Sequence, residues 1–171
     1  MSDSPEVSDG VKMMTAIGHI CLQWARLEMG LLGIIYTIEG MPMEKGEIIF
    51  GGLDILPRVG MALNLGRYAK IPPPMIKRIA ALRIALQAGV SDRRNQAIHG
   101  AHKDFEVSGF TTVTMVRWKG DKRSKYLSAA DLYALGEEIF ELGNECWSII
   151  NDIGTWKLGP HHNKNLDNTV T

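Results

Sequence analysis

The residues best able to do chemistry stand together in the stretch Asp92-Arg93-Arg94-Asn95-Gln96-Ala97-Ile98-His99-Gly100-Ala101-His102. It combines guanidinium groups, which bind anions through a planar fork of donors, with imidazoles, which gain and lose a proton near neutral pH. On a helix, steps of three, four and seven residues return to nearly the same azimuth, so Asp92, Asn95, His99 and His102 share one narrow polar stripe. Arg94 precedes His99 by five residues, which is about 140° round a helix that turns about 100° per residue. Only its long side chain can curl toward that stripe. Gly100 then supplies a left-handed stop, and a histidine in the last turn suits the negative end of the helix dipole without any function.

Other chemistries fit less well. His99-x-x-His102 with Asp92 or Glu106 makes a poor metal site, because two histidines lack a third firmly placed ligand. Cys21 and Cys146 sit in apolar helical stripes with no partner indicated and read as two buried, reduced thiols rather than nucleophiles. Gly51-Gly52 lacks the Lys and Ser/Thr of a phosphate-cradling loop. No metal and no cofactor is expected.

The elements that must carry the stretch are legible from periodicity. Asp9 can cap a long helix to about Glu39, with Met13, Ile17, Ile20, Trp24, Leu27, Leu31, Ile34 and Ile38 as its apolar stripe. Gly18, Gly30 and Gly33 inside it suggest close helix approach or a weaker helix. Glu44–Phe50 reads as a short helical turn, and Asp54 starts a second helix to about Ala69, with Pro57 tolerated in its first turn. Pro72–Pro74 break the chain and open a third helix, with Met75, Ile79, Leu82, Leu86, Val90 and Ala97 on one line, running into the Arg-Asn-His stretch. Phe105–Trp118 alternates as a strand, Lys119–Lys122 offers a turn, and Ser124–Leu127 returns as a partner, predicting a ribbon of two or three strands. Ser128 and Asp131 start a fourth helix, whose stripe is Leu132, Leu135, Ile139, Leu142, Cys146, Ile149 and Ile153.

With 171 residues, 45% hydrophobic and 22% charged, the chain suits one globular domain with a core of its own and excludes disorder throughout. Lys plus Arg equals Asp plus Glu, 19 each, which excludes a protein that coats polyanions through its overall field. The balance hides a gradient: Ser91–Leu127 carries 8 basic and 4 acidic residues, and Ser128–Thr171 carries 2 and 7. The N-terminus lacks a signal peptide's basic start and apolar run, and the longest mostly apolar stretch, Met29–Ile38, has ten residues, too few to span a bilayer. A cytoplasmic protein with no membrane contact is expected.

The string Arg94-Asn95-x-x-x-His99-Gly100, on a helix of a small and largely helical chain, resembles the signature of HEPN domains (higher eukaryotes and prokaryotes nucleotide-binding). That signature is an Arg, commonly followed by Asn, Asp or His, with a His four to six residues beyond. The order of long helix, second helix, motif helix and closing helix is similar as well. Together these readings predict an all-α fold, a helical bundle of four main helices with a β-ribbon insertion at about residues 105–127. The single domain would cover residues 1–158, followed by a polar, disordered tail over 159–171.

The resemblance implies a metal-independent endoribonuclease, a toxin or defence effector, working as a homodimer through a composite site. The RNA 2′-hydroxyl is then the nucleophile, His99 the general base or acid, Arg94 the stabiliser of the charged phosphate, and Asn95 the residue that orients His99 or bonds a phosphate oxygen. Arg93, His102, Lys103, Arg117 and Lys119 would bind the substrate, helped by Lys122, Arg123 and Lys125, with Phe105, Phe110, Trp118 and Tyr126 available for base stacking. An antitoxin or other regulatory protein is a further expected partner. The alternative is a non-catalytic HEPN-like module for dimerisation, partner or nucleotide binding.

Overall fold

The computed structural model describes residues 9–99, 101–103, 110–116 and 122–159, with side chains for 10–99 and 127–159. The described chain is mostly helical: α1 (Asp9–Glu39), α2 (Met43–Phe50), α3 (Ile55–Tyr68), α4 (Pro73–Ala85), α5 (Ser91–His99) and α6 (Ala129–Leu158). Strands β1 (Ala101–Lys103), β2 (Phe110–Val116) and β3 (Lys122–Ser128) lie between α5 and α6. They are antiparallel in the order β1-β2-β3, with Ala101 opposite Thr114 and Phe110 opposite Ser128. The segments 105–109 and 117–121 expected in the ribbon, and the expected tail beyond Gly159, lie outside the described residues.

The continuous third helix is corrected. It breaks at Leu86–Val90, where Gly89 takes φ +114°, a conformation that an L side chain rarely adopts. The motif therefore sits on the short helix α5, separate from α4. At the start of α3, Asp54 occupies the cap position but its side chain makes no capping bond. The start of α6 is a reciprocal cap: Asp131 Oδ2 accepts from Ser128 N and Oγ, each at 2.8 Å, and Ser128 Oγ accepts from Asp131 N at 3.1 Å.

The chain packs as two compact units. The first comprises residues 1–25 and 89–141. Its core joins Met13, Ala16, Ile20 and Trp24 of α1 to Val90 and Ala97 near the motif, Leu127 of β3, and Leu132, Leu135 and Ile139 of α6. His19 lies against Gly136, where a Cβ would come within 2.2 Å of its ring, and its Nε2 is 2.9 Å from Glu137 Oε1. Gly18 has no neighbour within 4 Å of where a Cβ would stand, so it serves no close approach. Cys21, expected buried, is exposed, because it falls on the outer side of α1 between Ile20 and the buried Gln23 and Trp24.

The second unit comprises residues 26–88 and 142–171. Here Gly30 and Gly33 do bring helices together: an added Cβ would meet Cys146 Cβ at 2.6 Å and Ile150 Cδ1 at 2.6 Å. Burial pushes the Cys146 thiol up to about 12, with Glu145 adding to the effect. Arg78 of α4 grips α6 through a fork to Glu145, with Nε to Oε1 at 2.6 Å and Nη2 to Oε2 at 2.9 Å, and also bonds Asp152 and Ser148. The hydrogen bond to Glu145 leads in raising its pKa, against the lowering effect of burial. Buried Arg58 donates to the carbonyls of Gly51 and Leu53 at 3.0 and 2.7 Å, satisfying the bend between α2 and α3. Among the described residues no helix is long and apolar enough to cross a membrane.

Candidate functional site

The site is built on α5, a nine-residue helix with Asp92 in its first turn and His99 in its last. The Asp92 carboxylate suits the positive end of the helix dipole, which favours this short helix. Ala97 is its fully buried anchor, and contact with β2 supports the same helix.

Arg94, Asn95 and His99 come together within one chain. Arg94 Nη1 donates to Asn95 Oδ1 at 3.0 Å and lies 3.3 Å from His99 Nε2. A guanidinium has only donors, so the contact with His99 is a hydrogen bond for the tautomer that keeps its proton on Nδ1. The five-residue offset is bridged as only the side chain could bridge it. Asn95 bonds Arg94 rather than His99, so it orients the guanidinium. Asn95 and His99 are exposed and Arg94 is half-buried, which leaves the imidazole open to a ligand while the cation is held.

What holds the cation is Trp24. The Arg94 guanidinium carbon lies 4.9 Å from the centroid of the Trp24 ring, which is 6% exposed. A guanidinium over an indole is attracted by the ring's quadrupole and loses less to dehydration than an ammonium would. Arg94 Nε is buried without a hydrogen-bond partner, as is Ser91 Oγ one turn earlier. The indole face thus substitutes for hydrogen bonds on that side. Sequence reasoning placed Trp24 in the apolar stripe of α1 and missed this role; nothing in a stripe of core residues distinguishes a platform from filler.

The other expected contacts divide. Arg93 donates from Nη2 to Glu138 Oε1 at 2.7 Å, so its charge is paired with α6. His102 and Lys103 belong to β1 by backbone, with side chains outside the described residues, and Arg117 and Lys119 lie wholly outside them. Lys122, Arg123, Lys125 and Tyr126 fall in β3 and Phe110 in β2, while Phe105 and Trp118 lie outside. Among the described residues no three His, Cys, Asp or Glu side chains gather as a metal site.

In comparisons with known proteins, no family model, no curated protein and no solved structure matches the chain.

Proposed function

We propose that the chain is a metal-independent endoribonuclease of HEPN type, with Arg94, Asn95 and His99 as its reacting centre. The observation that carries the reading is the convergence of all three side chains at 3.0 and 3.3 Å around Arg94 Nη1. RNA brings its own nucleophile, so the protein must move protons and stabilise charge on the phosphate. His99 takes the proton of the 2′-hydroxyl as that oxygen attacks the neighbouring phosphorus. Arg94, oriented by Asn95 and Trp24, neutralises the charge that builds on the phosphate oxygens. The 5′-oxygen leaves with a proton from the imidazolium of a second copy, giving a 2′,3′-cyclic phosphate and a 5′-hydroxyl. The homodimer this requires, a four-helix bundle with β1–β3 as its insertion in a domain over residues 1–158, a cytoplasmic setting, control by an antitoxin or other protein, and a toxin or defence role all belong to the same proposal.

A second reading has its own support. Arg94 is already engaged by Asn95, His99 and Trp24, as it would be in a non-catalytic HEPN-like module that uses the cluster to stiffen α5 for dimerisation, partner or nucleotide binding. Incubating the protein with structured RNA in EDTA, beside Arg94→Ala and His99→Ala, separates the two. Cleavage by the parent that falls by a factor of about 100 or more in His99→Ala is expected from loss of general acid–base catalysis. Absence of cleavage, or cleavage that survives both substitutions, rejects the enzyme and leaves the module.

A further inference from the structure

On the side of α5 next to the motif, a cavity of about 340 Å³ opens between this helix, the end of β3 and the first turns of α6. That volume is at the small end of the range of about 300–1,000 Å³ typical of small-molecule sites. Its apolar wall is Leu127, Leu132 and Leu135, all buried. Its polar edge is Arg93, Gln96 and Glu138. Gln96 precedes His99 by three residues, which sets it about 60° round the helix and one turn back.

We propose that this cavity binds a guanine base, with Glu138 reading its paired N–H groups and Arg93 or Gln96 its carbonyl. The inference rests on the ribonuclease reading in taking the base to be that of an RNA whose phosphate lies at His99. The leucine wall accepts the face of a heterocycle. Its edge is chosen by polarity: a carboxylate only accepts, and guanine alone among the four RNA bases carries two adjacent donors, N1–H and N2–H, beside an acceptor, O6. Adenine and cytosine place an unprotonated ring nitrogen beside their amino group, and uracil sets one N–H between two carbonyls. Each of these would turn an acceptor toward Glu138. Arg93 Nη2 donates to Glu138 Oε1, so the carboxylate keeps Oε2 and the second lone pair of Oε1 for guanine N1–H and N2–H, and the guanidinium keeps its other donors for O6. Asp131, which also lines the cavity, is occupied in capping α6 through Ser128.

The test is titration of the full chain with guanosine, adenosine, cytidine and uridine, followed by backbone amide NMR shifts. Guanosine is expected to bind at least roughly tenfold more tightly than the others, on the scale of one hydrogen bond to a charged group, with the shifts centred on residues 93–96 and 132–138. Glu138→Gln is expected to abolish the preference, and Gln96→Ala, which leaves the ion pair to α6 intact, to weaken guanosine alone. Equal binding of adenosine, or a preference that survives in folded Glu138→Gln, overturns the proposal. His99→Ala is expected to bind guanosine as the parent does. Guanosine binding without RNA cleavage would therefore defeat the ribonuclease and spare the pocket, and cleavage without guanosine binding would do the reverse.

Discussion

The guanidinium of Arg94 lies on the indole of Trp24, 4.9 Å from the ring centroid, although the two residues belong to different helices. The contact is the link between the core of the first unit and its exposed Asn95 and His99. It gives the arginine one orientation, with Nη1 toward both partners.

A double-mutant cycle of Trp24→Leu and Arg94→Met measures that link. The coupling is expected to be about 0.5–2 kcal/mol, the range of cation–π pairs from exposed to desolvated sites. Trp24→Phe, which keeps a π face in a smaller ring, should retain part of it. Additive effects of the two substitutions in urea denaturation would show that Arg94 gains nothing from the ring.

The glycines of α1 and the helix break predict stability changes of opposite sign. Gly18→Ala adds a methyl where nothing lies within 4 Å and should stabilise by about 0.5–1 kcal/mol through helix propensity. Gly30→Ala drives a methyl to 2.6 Å from Cys146 Cβ, and overpacking of about 1–3 kcal/mol should outweigh the same propensity gain. Gly89→Ala meets open space but must hold φ +114°, so a loss of about 1–3 kcal/mol is expected from backbone strain alone. Urea midpoints with unchanged m-values would check all three; stabilisation by Gly30→Ala or Gly89→Ala would contradict the account.

The two thiols should differ sharply in reactivity. Cys21 is exposed, whereas Cys146 is buried and pushed up to about 12, so at pH 8 its thiolate is both scarce and shielded. One equivalent of a thiol-specific disulfide reagent should react with the native protein and two with the denatured chain. Because the folded value lies above the unfolded 9.0, the Cys146 contribution is intact below pH 9. It is lost as pH rises from 9 toward 12, where the unfolded chain ionises first. Fast labelling of both thiols in native protein would refute the packing of Cys146 against Gly30.

Much of the fold was legible because apolar residues recur with the helical period. Most of the predicted stripes of α1 and α6 are buried, with Ile20, Leu31 and Ile34 of α1 and Ile139, Cys146 and Ile149 of α6 all at 0% exposure, while Ile17 and Leu142 are only half-buried. The Ser128–Asp131 cap was legible because its chemistry is local. The break at Gly89 was not: Leu86, Val90 and Ala97 keep helical spacing in the sequence and each is buried, and an isolated glycine inside a helical pattern does not announce a positive φ. Cys21 was misplaced for a related reason, since an apolar residue on a helix reads as inward whether or not anything covers it.

The sequence by itself determined where most of the helical residues lie, though not the break at Gly89, and that Arg94, Asn95 and His99 share a helix, because period, caps and motif spacing are properties of short stretches. Only the tertiary structure decided that Arg94 reaches its own chain's His99 over a Trp24 platform, and that Arg93 turns away to Glu138. Those outcomes depend on which helix faces carry partners from residues 70 and 45 positions distant in the chain, and a one-dimensional pattern holds no record of that meeting.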